Sequence, residues 1–373
     1  MALAFEACGR ARQRRARHTT TTLMETTMQP THRTSNRRNA LKGVLAAAAA
    51  PAIITSAHAQ AKVSWRVQSH WPKASGSFNG SLVPLAKELE ERTKGRFKLQ
   101  AMGAGEIAKG SEIFNIVRRG VVQMGSTAPS YNPDESELMN QYFGIPGTLR
   151  HPWEMMHLVK NLGLEAALNE QLKARGVFMM AEKSYPTELV LKKKIAPGED
   201  LSRIKIRSAG NLVDYFAAAG FVPQNIDGPE LYQALATGVI DGAHWGAAVG
   251  ALSMKFWEVA KFQMKPAVLI ANDVFVINLD AYNKLPDDLR ETFTMLVQER
   301  YFRRTIEYQH QEAVATNTGV TKYGLELVPY PEDVQKRMAQ ASKDILAKDM
   351  AGGPKAKEMG EKLTALMKDL GYV

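Results

Sequence analysis

The chain is almost free of cysteine, since Cys8 is the only one in 373 residues. A single thiol excludes an internal disulfide, and a chain that loses its first residues has neither thiolate chemistry nor a cysteine for lipid anchoring. No apolar run approaches the ~20 residues that a membrane-spanning helix needs. After residue 60 there is no Gly-x-Ser-x-Gly elbow, no complete phosphate-binding glycine loop and no pair of histidines at metal-ligand spacing. These absences disfavour several enzyme classes.

Residues 1–59 have the pattern of an export signal. Arg37 and Arg38 precede the apolar run 43–54, which is followed by the small-residue segment Ala57-His58-Ala59. The paired arginines resemble a twin-arginine signal. We therefore predict that residues 1–59 are a twin-arginine-like signal that is cleaved on export to the periplasm. A membrane anchor is the alternative, and the start of translation at Met1, Met24 or Met28 stays open.

Loss of this segment changes the charge of the protein. Residues 1–59 hold nine of the 48 Lys and Arg residues and two of the 38 Asp and Glu residues, which leaves a net charge of +3. That balance gives no support for binding nucleic acid. The remaining chain of roughly 310 residues is long enough for two lobes, and we expect it to be free of the membrane.

Strand and helix patterns alternate along the first half of the chain. Strands are predicted at 63–67, 97–101 and 121–125, and helices at 80–93 and 110–119. Such alternation is typical of an open α/β sheet. Further strands are predicted at 177–181, 188–192 and 268–278, and further helices at 287–312, 332–346 and 354–370.

The segment 204–245 carries the clearest chemical signal. Alternating apolar and polar residues predict a short strand at 204–208 that ends by directing Arg207 outward. A helix pattern follows and stops at Gly238, after which an Asp-Gly turn leads to His244 and Trp245. A guanidinium at a strand end, facing an aromatic-bearing loop, suits a small carboxylate because its planar fork meets both oxygens.

The same segment resembles the extracytoplasmic solute receptors of tripartite ATP-independent periplasmic (TRAP) transporters, which import organic acids. The resemblance rests on the Glu-Leu-Tyr-Gln-Ala-Leu helix and the Gly-Val-Ile-Asp-Gly turn, and it continues at residues 63–67, 105–107 and 121–125. It covers nearly the whole exported chain. The nearest branch is the one that binds 2-oxo acids and other monocarboxylates.

The resemblance implies an α/β periplasmic binding protein with two lobes, a hinged cleft between them and a long helix spanning both. The first lobe would comprise residues 61–184 and 272–310. The second would comprise residues 185–271 and 311–373, with the C-terminal helices. Family members include monomers and homodimers, and the sequence does not choose between them.

The resemblance also suggests the site. Arg207 matches the arginine that binds the ligand carboxylate, and His244 and Trp245 stand at ligand-contacting positions. Aromatic and hydroxyl side chains on the predicted cleft loops complete the candidates: Trp71, Tyr185, Ser69, Thr127 and Thr187, with Tyr131 as a further possibility. Aromatic walls favour a monocarboxylate with an apolar, 2-oxo or aromatic body.

No cofactor or metal is predicted. In the branch that binds 2-oxo acids through a cation, the positions of His244 and Val268 are glutamates and the position of Pro186 is a glutamine. A hard cation needs several oxygen ligands, and proline and valine side chains supply none.

We therefore predict a solute receptor without catalytic residues, whose partners are an organic acid anion and the TRAP permease subunits. One alternative is a receptor for an ABC importer or a sensor kinase, which neighbouring permease genes would distinguish. Another is a secreted enzyme acting on carboxylates, with His244 as the titratable group, which turnover of a bound acid would reveal.

Overall fold

The computed structural model describes residues 62–373, so the predicted export signal at 1–59 lies outside the described residues. This part of the chain forms two sheets flanked by helices. The strands are, in order, Val63–Ser69 (β1), Phe97–Met102 (β2), Met124–Thr127 (β3), Val177–Thr187 (β4), Val190–Leu191 (β5), Lys205–Arg207 (β6), Val222–Gln224 (β7), Gly242–Ala243 (β8), Phe262–Lys265 (β9), Leu269–Asn278 (β10) and Glu326–Pro329 (β11).

Helices cover both sheets. Those with α geometry are Val83–Arg92 (α1), Ile113–Arg118 (α2), Met139–Phe143 (α3), Pro152–Met156 (α4), Leu164–Lys173 (α5), Asn211–Ala218 (α6), Leu231–Thr237 (α7), Ala248–Ser253 (α8), Leu279–Asn283 (α9), Asp287–Tyr323 (α10), Glu332–Met350 (α11) and Pro354–Asp369 (α12). None of the helices within residues 62–373 combines the length and the apolar character needed to cross a bilayer.

The first sheet has the order β2-β1-β3-β10-β4. Strands β2, β1 and β3 run parallel, because α1 and α2 connect them as crossovers, while β10 is antiparallel to both β3 and β4. The predicted α/β alternation over residues 63–125 is confirmed. The predicted strand at 121–125 is shifted, since β3 begins only at Met124 after the turn at Gly120.

The second sheet has the order β11-β9-β5-β8-β6-β7. Strand β6 lies between β7 and β8 and runs parallel to both, with Arg207 opposite Gln224 on one side and Ala243 on the other. This pairing brings the loop that follows β8 beside the end of β6. We call the first sheet with its helices the first lobe, and the second sheet with its helices the second lobe.

Two strands connect the lobes. β4 and β10 pair along their whole length, from Val177 opposite Asn278 to Thr187 opposite Leu269. The sequence predicts only 177–181 as a strand here, because Glu182 and Lys183 interrupt the apolar pattern. The register shifts at this point, with Asp273 opposite Lys183 and the next residue opposite Ala181, so that Glu182 is the extra residue of a β-bulge.

Helix α10 is 37 residues long and exceeds its predicted end at residue 312 by eleven positions. It continues to Tyr323 and stops at Gly324, whose φ of 64° closes the helix. Phe293 and Leu296 of its first half pack in the core of the first lobe, and Ala315 packs in a core cluster of the second lobe. The predicted long helix spanning both lobes is therefore present.

The C-terminal helices divide between the cores. Met338 and Ala341 of α11 pack with second-lobe residues, whereas Met359 and Leu363 of α12 pack in a cluster formed mainly by the first lobe. The boundaries of the two lobes along the chain stay a prediction.

Glu312 attaches the long helix to the second lobe. Its carboxylate accepts hydrogen bonds from the backbone N–H groups of Ala248 (2.7 Å) and Val249 (3.1 Å), at the beginning of α8. Burial raises the pKa of Glu312 from its ordinary value of 4.5 to about 7, although the two N–H groups oppose the shift. The charged carboxylate is thus less favourable in the folded protein than in the unfolded chain.

This shift predicts a pH-dependent stability. Between the two pKa values the folded state holds more protons, so stability falls as pH rises from about 4.5 to about 7. We expect Glu312→Gln to remove roughly 3 kcal/mol of this loss, which corresponds to the size of the shift. Chemical denaturation at several pH values measures it.

The control is Glu291→Gln, an exposed position on the same helix. Its pH dependence should match that of the unchanged protein. Equal pH slopes for Glu312→Gln and the unchanged protein would contradict the assignment.

Candidate functional site

Arg207 ends strand β6 and is buried, with only 4% of its surface exposed. This corrects the expectation of an outward-pointing side chain. Its Nε–H donates to the carbonyl oxygen of Ile226 and its Nη1–H to that of His244, each at 3.2 Å. The guanidinium lies over the indole of Trp245, with Cζ 5.1 Å from the ring centroid. Its position is therefore fixed on three sides.

The guanidinium keeps donors to spare. Arginine has five N–H groups, and two of them are used on backbone carbonyls. Among residues 62–373, no carboxylate lies at ion-pair distance from Arg207. A buried positive charge without a counter-ion is unfavourable. The arrangement is therefore complementary to an anion.

His244 and Trp245 follow directly after β8, and the pairing of β8 with β6 places them next to Arg207. Gly228 leaves room for the indole, because a Cβ at this position would lie only 2.6 Å from a carbon of the Trp245 ring. Nε2 of His244 lies 3.3 Å from the Ser208 hydroxyl, and the ring stacks near Phe216. Burial, and then the charge of Arg207, hold the pKa of His244 well below its ordinary value. His244 is thus a neutral wall of the site.

Six of the eight predicted site residues line one cavity between the lobes: Arg207, His244, Trp245, Tyr185, Trp71 and Thr187. The space inside this lining is about 620 Å³, part of it open to solvent. Tyr131 also lines it. Burial raises the pKa of the Tyr131 phenol, and the neighbouring Arg207 opposes that shift.

Ser69 and Thr127 are not among the lining residues of this cavity. Both are fully buried at the ends of β1 and β3. The Ser69 hydroxyl lies 3.0 Å from that of Ser126 and accepts a hydrogen bond from the backbone of Trp71. These contacts hold the loop after β1 in place.

A second set of charges in the cavity wall is not predicted from the sequence. Asp273 of β10 accepts hydrogen bonds from Lys183 Nζ (2.6 Å), the Tyr185 hydroxyl (2.9 Å) and Trp71 Nε1 (3.2 Å). Lys183 also lies 2.9 Å from Glu182. The sequence does contain a signal, because Asp273 interrupts the apolar run of a buried strand.

The electrostatics of this cluster follow from its burial. Burial alone would raise the pKa of Asp273, but the charge of Lys183 and the hydrogen bonds from Lys183 and Tyr185 hold it below the ordinary value of a carboxyl group. His70 also lines the cavity. Burial lowers the pKa of His70, despite the opposing charge of Asp273. The cluster therefore consists of Lys183 between the carboxylates of Asp273 and Glu182, beside a neutral imidazole.

The lobes touch each other across the cavity. Asn211 of α6 donates a hydrogen bond of 2.7 Å to the carbonyl oxygen of Gly144 in the first lobe. A Cβ at Gly210 would lie 2.3 Å from that of Ser130. The closeness of these contacts indicates a cleft with little room to close further.

The donors do not fit a hard cation. Pro186 offers no side-chain ligand, Val268 packs in an apolar cluster of the second lobe, and His244 lies beside the positive charge of Arg207. No group of three acidic, histidine or cysteine side chains within residues 62–373 is arranged to hold a metal ion. A cation that presents the ligand has no oxygen cage here.

The fold is that of a two-lobed α/β protein with a cavity between its lobes. Residues 68–352 match the DctP family, described as bacterial extracellular solute-binding protein, family 7. The chain therefore belongs to this family, and the predicted family is confirmed. The family consists of solute-binding proteins of transporters and not of enzymes. Membership of the family therefore confirms the prediction that the chain is not an enzyme.

One relative is a monocarboxylate 2-oxoacid-binding periplasmic protein of Nostoc sp. It is 27% identical over 312 residues, which cover 83% of this chain and 85% of the relative.

Solved structures show the same fold. A TRAP transporter solute-binding protein of Bordetella bronchiseptica, described as a dimer with calcium and picolinate, gives a TM-score of 0.77 at 21% identity over 83% of this chain and 93% of its own. A Bordetella pertussis receptor described as binding pyroglutamic acid gives 0.73 at 20% identity over 82% and 99%. The predicted two-lobed fold is confirmed.

The Asp273 cluster should be essential for stability. We expect Asp273→Asn to cost about 3–5 kcal/mol, because it removes the main counter-ion of buried Lys183. Denaturant unfolding measures the change. The control Glu361→Gln breaks an exposed pair with Lys357 (3.9 Å) and should cost less than about 1 kcal/mol. Equal effects of the two substitutions would contradict the role of the cluster.

Proposed function

We propose that this protein is the periplasmic receptor of a TRAP-type importer and binds an organic acid anion between its lobes. The observation that carries the proposal is the buried guanidinium of Arg207, which is held by two backbone carbonyls and has no carboxylate partner within residues 62–373. An anionic ligand supplies the missing charge. The bidentate geometry of the guanidinium favours a carboxylate over a spherical anion.

The rest of the cavity favours a monocarboxylate. Lys183 is already paired with Asp273 and Glu182, so Arg207 is the cation left for the ligand among the lining residues. Trp71, Tyr185 and Trp245 provide apolar and aromatic walls for the body of the ligand. The relatives described as binding 2-oxo acids or pyroglutamic acid agree with this class of ligand.

Delivery to the membrane follows from the two lobes. A ligand that contacts Arg207 on the second lobe and His70 or Trp71 on the first stabilises the closed arrangement. The closed form then presents one continuous surface of both lobes to the permease subunits of the importer. Export by the segment 1–59 would place the receptor in the periplasm, and its activity there is binding without turnover.

Replacement of Arg207 tests the site. We expect Arg207→Ala to weaken the binding of a monocarboxylate by roughly two orders of magnitude or more, because the ligand carboxylate would be buried without its counter-ion. Isothermal titration calorimetry against a panel of organic acids measures the affinity.

The matched control is Arg203→Ala, since this arginine precedes β6 and its side chain is 89% exposed. It should bind with unchanged affinity, and both variants should retain their melting temperature. Near-normal affinity of the folded Arg207→Ala variant would remove this residue from the site.

Closure of the lobes gives a second prediction. We expect small-angle X-ray scattering to show a smaller radius of gyration with saturating ligand than without it, since the contacts between Asn211 and Gly144 form in the closed state. The Arg207→Ala variant should keep the larger radius under the same conditions. An identical radius with and without a bound ligand would exclude the hinge motion.

A further inference from the structure

The hydrogen bonds of His70 determine which chemistry the first-lobe wall of the cavity presents. Nδ1 of His70 lies 2.9 Å from the backbone carbonyl oxygen of Ser126. A carbonyl oxygen can only accept, so Nδ1 carries the proton. In the neutral imidazole, Nε2 is therefore an unprotonated acceptor.

A second acceptor stands opposite this nitrogen. Oδ1 of Asp273 lies 3.8 Å from Nε2 of His70, and both residues line the cavity. That distance is too long for a hydrogen bond between the two. A donor atom from outside can approach both acceptors at about 3 Å, because two atoms 3.8 Å apart leave room for a shared partner. His70 Nε2 and Asp273 Oδ1 are therefore suited to accept a hydrogen bond from an O–H or N–H group of the ligand.

The acceptor pair is available as long as His70 stays neutral. Lys183 Nζ lies 2.6 Å from the other oxygen of Asp273 and 2.9 Å from the carboxylate of Glu182, so it does not occupy Oδ1. Protonation of His70 would remove the acceptor, but burial lowers the pKa of that ring. Hydroxyl and amide N–H groups on a ligand therefore suit this pair of acceptors.

Trp245 relates this wall to Arg207. Its ring centroid lies 6.4 Å from that of His70 and 5.1 Å from Cζ of Arg207. His70 and Arg207 therefore flank one aromatic side chain, and both line the same cavity.

Resting on the proposed function, we infer that the ligand is a monocarboxylate with an O–H or N–H donor, such as a 2-hydroxy acid or a lactam acid. His70 and Asp273 recognise the donor, and Arg207 binds the carboxylate. The matching 2-oxo acid, which offers only an acceptor at that position and finds no cation there, binds more weakly.

Calorimetric titration of the purified protein with matched pairs of acids tests this. The pairs are lactate and pyruvate, 2-hydroxyisovalerate and 2-oxoisovalerate, mandelate and benzoylformate, and pyroglutamate and its lactone analogue with ring oxygen in place of N–H. Within the pairs that bind, we expect the donor-bearing member to bind about tenfold tighter, the effect of one hydrogen bond to a buried acceptor.

Substitutions at His70 assign the preference to this residue. In His70→Asn the side-chain amide can still donate to the Ser126 carbonyl, but no acceptor reaches the position of Nε2, so the ratio within each pair should fall towards one. In His70→Gln a side-chain oxygen can reach that position and should restore part of the preference. The control His310→Asn, at an exposed position on α10, should keep the ratio of the unchanged protein.

The outcomes separate the two proposals. If both members of the pairs bind equally, or the 2-oxo members bind tighter, while Arg207→Ala abolishes binding, the donor selectivity is wrong and the receptor function stands. A donor preference that survives in His70→Asn would also overturn the inference. If no monocarboxylate binds, the proposed function is wrong and this inference is wrong with it.

Discussion

The buried guanidinium of Arg207 is the constraint on which the site depends. Two carbonyl oxygens and the Trp245 indole hold it in place, and none of these groups cancels its charge. A folded protein tolerates such a charge only where binding supplies a counter-ion or where solvent reaches it. In the proposed function the cleft between the two lobes meets both conditions, because it would admit water when open and an anion when closed.

The first-lobe wall of the cavity contains a buried negative charge, that of Asp273. The carboxylate of Asp273 is as deeply buried as Arg207, but it is satisfied within the protein by Lys183, Tyr185 and Trp71. The bulge at Glu182 makes this possible, since it changes the register of β4 against β10 at the level of Asp273. The Arg207 side of the cavity thus has a positive charge without a carboxylate partner within residues 62–373, whereas on the other side the charges are paired within the protein and His70 offers an acceptor.

Glu312 connects the site to the frame of the molecule. By holding the first N–H groups of α8, it fixes the segment that follows Trp245 to the long helix, and that helix packs against both lobes. The aromatic wall therefore depends on an element that begins in the core of the first lobe. The long helix therefore joins the wall of the cavity to the cores of both lobes.

The amino-acid sequence by itself determined the α/β alternation, the long helix and the family. It also indicated Arg207, because a guanidinium at a strand end before an aromatic loop is a local pattern. It did not reveal the roles of His70 and Asp273, which are 203 positions apart and meet only through the first sheet. Only the tertiary structure decided that Arg207 is buried and that Asp273 has Lys183 as a counter-ion. Burial and counter-ions arise from contacts between segments that are distant in the chain.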